Sequence, residues 1–145
     1  MKIFLDTSAL FKLYHREVGT TELEAIFSTA KITNIFLSEI SKIEFASAIW
    51  KKVRTKEITA STAQTTLDLF EIDLVKYSFV TTDSITIEQA RKLVSKYGMQ
   101  GLRTLDSIQL STALLLFRQA DIFFTTDGLL KSLFEAEGLP TALPA

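Results

Sequence analysis

Four short apolar segments recur along the chain at intervals that leave room for helices between them: Lys2–Leu5, Ile35–Leu37, Tyr77–Val80 and Asp121–Phe124. This spacing constrains the fold more than any other feature. A strand that returns parallel to its predecessor needs a crossover of a dozen or more residues, usually helical. The intervening stretches carry apolar residues at helical spacing, and predict helices over about 8–14, 20–30, 38–54, 59–72, 85–97, 102–117 and 129–137. Gly98 and Gly138 stand where two of these should end. The expectation is an α/β fold: a parallel sheet of four or five strands covered by helices on both faces, an α/β/α sandwich. The fifth strand would be Leu139–Leu143, at an edge that tolerates Pro140. No repeat, linker or low-complexity tract divides residues 1–145, so a single domain is expected.

At 145 residues and 47% hydrophobic content, such a domain can bury a substantial core. There is no cysteine, which excludes disulfides, thiolate metal sites and a cysteine nucleophile. No apolar run approaches the roughly 20 residues of a membrane-spanning helix. Asp6 interrupts the N-terminal apolar stretch too early for a signal peptide. These points lead to the expectation of a soluble, cytoplasmic protein. A net charge of −1 argues against a broad basic coat for nucleic acid. Lys51, Lys52, Arg54 and Lys56 form a local basic patch, equally well read as a solvated helix end whose cations favour the dipole.

The chemistry suggested by the chain lies in its acids. In open parallel sheets ligands bind beyond the carboxyl ends of the strands. Asp6 stands there, after the first strand. Asp127 repeats the pattern in Phe123-Phe-Thr-Thr-Asp-Gly-Leu129. Glu44 lies early in the helix after the second strand, within Ile43-Glu-Phe-Ala-Ser-Ala-Ile-Trp50. Asp106 opens a helix on the stripe shared with Leu110, Ala113 and Phe117. Each has an ordinary alternative. Asp6 and Asp127 can cap helices, and Ser41 with Glu44, or Asp106 with Gln109, has the spacing of a capping box. Together, however, the four acids are fed toward one end of one sheet. Carboxylates held close repel, and a divalent cation relieves that repulsion. Mg2+ or Mn2+ suits oxygen ligands. Thr7, Ser8, Thr125 and Thr126 are candidates to orient the acids around it. Asp83, in a second Thr-Thr-Asp run, is read as a cap for the helix that follows.

Other chemistries lack parts. The five glycines are scattered, with no phosphate-binding loop, and no Gly-x-Ser-x-Gly elbow occurs. His15 is the only histidine, which excludes histidine-based zinc sites, and a surface role suits it best.

Four stretches in order carry a family resemblance: Phe4-Leu-Asp-Thr-Ser-Ala-Leu10, Ser38 through Ile43-Glu44-Phe45, Leu105-Asp-Ser-Ile-Gln-Leu-Ser-Thr-Ala113, and Phe124-Thr-Thr-Asp127. In order and spacing the chain resembles a PIN-domain nuclease of the VapC type, the toxins of prokaryotic toxin–antitoxin pairs. The resemblance covers essentially the whole chain and maps the acidic positions of the family onto Asp6, Glu44, Asp106 and Asp127. It departs at Gln109, where many relatives have histidine. It implies a five-stranded parallel sheet between helices, RNA cleavage dependent on Mg2+ or Mn2+, a homodimer, and a cognate antitoxin whose tail blocks the acidic groove.

The resulting expectation is phosphodiester hydrolysis by metal-activated water, with Asp6 and Asp106 as the foremost ligands and Glu44 and Asp127 as further ones. Arg103, Lys12 and the 51–56 cluster are candidates to attract RNA, most naturally a single-stranded loop. Three rivals stand beside it. One is a catalytically inactive PIN-like module that binds a protein or RNA partner. Another is a phosphotransfer domain, for which Asp6-Thr-Ser lacks an Asp-x-Asp form. The third is a DNA nuclease, for which the short chain has little room to grip a duplex.

Overall fold

The computed structural model describes residues 1–144. Four strands form one sheet: β1 (Lys2–Leu5), β2 (Asn34–Ser38), β3 (Ser78–Val80) and β4 (Ile122–Phe124). All neighbouring pairs are parallel, in the order β3-β2-β1-β4. Seven α-helices occupy the crossovers and the C-terminal region: α1 (Thr7–Phe11), α2 (Thr20–Thr29), α3 (Ser41–Arg54), α4 (Ala60–Asp73), α5 (Ser84–Tyr97), α6 (Thr104–Leu115) and α7 (Gly128–Ala136). From β1 the chain moves one way through β2 to β3, then crosses back to place β4 on the other side of β1. The crevice between β1 and β4 is therefore the switch point of the sheet, the position at which open α/β sheets bind ligands.

Strand alternation sorts the core into two layers. Ile3, Leu5, Ile122 and Phe124 face one way and pack with Leu10, Phe11, Leu23, Phe45, Ile49 and Phe70 from α1–α4. Phe4 and Phe123 face the other way, onto Leu93, Leu110, Leu130 and Phe134 from α5–α7. Phe4, Phe45, Phe123 and Phe134 are completely buried. Burying each such side chain is worth roughly 1.5–3 kcal/mol. The first layer holds the sheet end of α3, and with it Glu44, against α1. The second layer holds α6, and with it Asp106, against β4 and α7.

The segment Leu139–Leu143 does not form the fifth strand. Helix α7 ends in a Schellman turn: Gly138 has φ +81°, its N–H bonds the Glu135 carbonyl, and the Leu139 N–H bonds Phe134 at 2.9 Å. The chain then makes one bond to the β4 edge, from the Phe123 N–H to the Pro140 carbonyl at 2.8 Å, and continues as coil. The helices also begin and end inside several predicted spans. Helix α3 starts at Ser41, after a turn at Glu39–Ile40, and α6 runs from Thr104 only to Leu115. No described helix is long and apolar enough to cross a membrane.

Candidate active site

Asp6, Glu44, Asp106 and Asp127 line one cleft of about 540 Å³ at the switch point, together with Thr7, Ser8, Lys12, Lys52 and Gln109. Four separate elements deliver the acids. Asp6 follows β1 and Asp127 follows β4, whereas Glu44 stands in the first turn of α3 and Asp106 in the first turn of α6.

Asp6 is the buried member, at 3% exposure. It caps α1 by accepting from the Ala9 N–H at 2.9 Å. The Ser8 hydroxyl lies 2.8 and 2.9 Å from its two oxygens, and the Thr125 hydroxyl donates to Oδ2 at 2.7 Å. Burial pushes its pKa up to about 6, opposed by the donors from Thr125, Ala9 and Ser8 and reinforced by the charge of Asp127. Ser8 in turn accepts from the Thr126 N–H and hydroxyl at 3.2 and 3.0 Å. The hydroxyls at 8, 125 and 126 thus form one chain that ties the tips of β1 and β4 together.

Asp106 is half-buried, and its pKa is raised by burial and then by the charges of Asp127 and Glu44, against the opposing pull of Arg103. Asp127 is exposed and caps α7 through the Leu130 N–H at 2.7 Å. The ordinary and the functional readings of Asp6 and Asp127 are therefore both compatible with the geometry, since a capping carboxylate retains acceptor capacity.

The two capping boxes offered as the ordinary alternative do not form. Ile40 occupies the cap position of α3 and Arg103 that of α6, neither with a side-chain capping bond, so Ser41 and Asp106 lie inside their helices. Gln109 and Glu44 instead meet across the cleft floor. The Gln109 amide nitrogen lies 2.9 Å from Glu44 Oε1, 3.0 Å from the Thr7 hydroxyl and 3.1 Å from the Ser41 hydroxyl. Thr7 donates to the same Glu44 oxygen at 2.8 Å. Glu44 Oε1 is thereby held from two sides, while Oε2 receives no protein donor among the described residues. Gln109 Oε1 is buried without a partner. An ionised Glu44 accepts only, which requires the amide to turn its nitrogen toward it and leaves the carbonyl unsatisfied.

The opposite wall carries charge that the sequence did not flag as a unit. Glu17 bridges Lys12 and Lys52, and Lys52 also pairs with Glu57 at 2.7 Å. Burial raises the pKa of Glu17, but the two lysines outweigh it and leave the carboxyl below its usual range. Of the basic cluster at 51–56, Lys51, Lys52 and Arg54 do sit in the last turn of α3, and Lys51 and Lys52 line the cleft. Asp83 caps α5 through the Thr86 N–H at 3.1 Å and does not line the cleft. His15 is half-buried, its ring centroid 5.5 Å from that of Phe11 in an edge-on arrangement.

The atoms of the acidic floor able to ligate a cation are carboxylate and hydroxyl oxygens, which suit a hard divalent cation such as Mg2+ or Mn2+. Burial raises the pKa of both Asp6 and Asp106, with a smaller push from the charge of Asp127 on each and of Glu44 on Asp106, and a bound cation would offset both effects. Among the described residues, no three carboxylates stand close enough to share one ion. The floor therefore fits an ion that keeps several waters and takes one or two carboxylates at a time, the usual habit of Mg2+.

Fold and cleft define a class: a three-layer α/β/α protein with an acidic pocket at the switch point of a parallel sheet. The PIN domain family profile matches residues 3–133, and the chain belongs to that family. Solved structures share the fold at low identity. VapC20 of Mycobacterium tuberculosis, described as a sarcin–ricin loop cleaving toxin, is 14% identical with a TM-score of 0.69, covering 98% of this chain and 99% of its own. FitAcB of Neisseria gonorrhoeae is 14% identical with a TM-score of 0.71, over 97% of this chain and 96% of its own. VapBC2 of Rickettsia felis, solved on a DNA fragment from its promoter, is 17% identical with a TM-score of 0.58, over 97% and 94%. No curated protein matches the sequence.

Proposed function

We propose that the protein is a divalent-cation-dependent endoribonuclease, the toxin of a toxin–antitoxin pair that acts in the cytoplasm as a homodimer and is held by a cognate antitoxin. The observation that carries this reading is the convergence of four acids, from four elements distant in sequence, on one cleft at the switch point. Membership of the PIN domain family supports it, as does likeness of fold to a toxin described as cleaving the sarcin–ricin loop.

Asp6 and Asp106 are the foremost candidates to hold the cation, with Glu44 and Asp127 completing its surroundings. When bound, Mg2+ or Mn2+ supplies charge stabilisation at the phosphoryl group and acidifies a water for attack. The chain contributes orientation. Ser8, Thr125 and the Ala9 N–H fix both oxygens of Asp6. Thr7 and Gln109 hold one oxygen of Glu44 and leave the other available to orient a water or the ion. Thr126 steadies Ser8 from the β4 side.

A binding module without activity is the second reading, in which the capping roles of Asp6 and Asp127 are their whole function. Purified protein free of antitoxin, incubated with labelled structured RNAs with and without Mn2+, separates the two. Cleavage should need the ion, be lost in Asp6→Asn and Asp106→Asn, and survive in Asp83→Asn. Cleavage that persists in EDTA or in both site variants would refute the metal-dependent reading. Absence of cleavage of any RNA, together with absence of Mn2+ binding, would favour the binding module.

A further inference from the structure

The cleft holds a second constellation, opposite the acids, that the proposed reaction does not use. Lys12, at the end of α1, and Lys52, in the last turn of α3, converge on Glu17 in the loop before α2. The two lysines take opposite oxygens of one carboxylate: Lys12 binds Oε1, and Lys52 binds Oε2 at 3.1 Å. Both ammonium groups also lie by the Phe11 ring, 5.9 and 6.0 Å from its centroid. The Lys12 side chain is only 9% exposed. The Glu17 backbone is pinned as well, its N–H donating to the Thr20 hydroxyl at 3.0 Å and its carbonyl accepting from the Thr20 N–H at 3.1 Å. Gly19, at φ +101°, packs this loop against Thr126, next to Asp127. The constellation is therefore built onto the same cleft as the acids.

The charge balance gives it a purpose. Six carboxylates line the cleft (Asp6, Glu17, Glu44, Glu57, Asp106 and Asp127) against three ammonium groups, from Lys12, Lys51 and Lys52. Two of those three already have partners, Lys12 and Lys52 sharing Glu17 and Lys52 also pairing with Glu57. A polyanion entering such a cleft meets net repulsion, offset locally only where a lysine turns to it. A phosphodiester presents the same recognition chemistry as Glu17: two oxygens sharing one negative charge, able to accept from two ammonium donors at once.

We propose that Lys12 and Lys52 form a clamp for an RNA phosphate, and that Glu17 occupies this clamp in the free protein as a stand-in that the incoming strand displaces. The inference rests on the reading of the protein as an RNA-cleaving enzyme and deepens it by naming where the backbone is gripped. Partly exposed ion pairs are individually weak, so a phosphate that brings a bound cation and further contacts can exchange with Glu17. Glu17 thereby lowers affinity for stray anions and confines the free lysines to strands that also engage the acidic floor.

The test uses fluorescence anisotropy of a short end-labelled single-stranded RNA in Mg2+, with every variant built on Asp106→Asn so that binding is read without turnover. Glu17→Gln should tighten binding by about fivefold to tenfold, the ratio expected from releasing two such ion pairs. Adding Lys52→Gln should remove that gain. Glu57→Gln, at an exposed partner of Lys52, should give a smaller gain of the same kind and carries the test if Glu17→Gln melts early. No tightening in either acid variant, or a gain that survives Lys52→Gln, would overturn the clamp. Poly-glutamate captured by Glu17→Gln as tightly as RNA would overturn its assignment to phosphate. Cleavage by the unmodified protein is scored separately. A true nuclease with no Glu17 effect therefore sinks only the clamp, and a Lys52-dependent Glu17 effect without cleavage sinks only the nuclease.

Discussion

Replacing Asp6 by asparagine should stabilise the metal-free protein at neutral pH, although Asp6 accepts four close contacts from three residues. The native pKa is raised from 3.8 to about 6, with burial as the largest cause. A raised native pKa means that the folded protein binds a proton more tightly than the unfolded chain. The stabilisation is complete below the unfolded value and is lost as pH rises through the native value. Above pH 6 the wild type therefore forgoes about 3 kcal/mol relative to acid conditions, at 1.36 kcal/mol per unit. Asparagine carries no such penalty and still caps a helix well, so the bond from the Ala9 N–H survives. The Thr125 and Ser8 hydroxyls can rotate to accept from the new amide. In EDTA, the stability difference between Asp6→Asn and wild type should grow from under about 1 kcal/mol at pH 4 to about 3 kcal/mol at pH 8. That corresponds to roughly 6–12 °C for a domain of this size. Urea unfolding followed by circular dichroism between pH 4 and 8 measures it, and saturating Mn2+ should erase the advantage of the variant. A difference independent of pH, or a variant less stable throughout, would show that Asp6 serves as a cap and that its burial imposes no electrostatic strain.

Two further substitutions probe the supports of the site. Gly19→Ala places a Cβ 2.6 Å from Thr126 Cγ2 at a backbone with φ +101°; it should cost roughly 2 kcal/mol in denaturant unfolding and reduce cleavage by displacing Thr126 beside Asp127. Gln109→Glu sets a second carboxylate about 3 Å from Glu44, in the position of the amide nitrogen now at 2.9 Å. The pair should share a proton at pH 5 and lose roughly 2 kcal/mol of stability by pH 8, whereas equal stability at both values would mean that the network does not hold Glu44 tightly.

The sheet was legible because each strand is a short apolar run of fixed length bounded by polar residues, and a parallel connection admits few alternatives. The direction of chain travel after β1 was not legible, and it alone brings Asp6 and Asp127 together across one crevice. Strand tips announced those two acids. Glu44 and Asp106 were legible as acids near helix starts, but their local spacing left a capping box open as an alternative. A Ser-x-x-Glu or Asp-x-x-Gln pair has the same i, i+3 geometry whether it closes a capping box or faces a neighbouring helix. Only the cap dihedrals at Ile40 and Arg103 decide between them. The link from Gln109 to Thr7 spans 102 residues and leaves no local trace. The Glu17 bridge left no pattern either, since Lys12 lies before it across a loop rather than at helical spacing and Lys52 lies at the end of another helix. The missing edge strand failed on turn chemistry: the Schellman turn at Gly138 directs Leu139 into the core, with 3% exposure.

Calorimetric titration with Mn2+ at pH 7.5 tests the acidic cleft most directly, comparing wild type with the Asp6→Asn, Asp106→Asn double variant. Saturable binding by the wild type that weakens below pH 6, as protons compete for Asp6, and that vanishes in the double variant is the predicted result. Equal binding by both proteins, or none by the wild type, would contradict the claim that these carboxylates are gathered to hold a divalent ion.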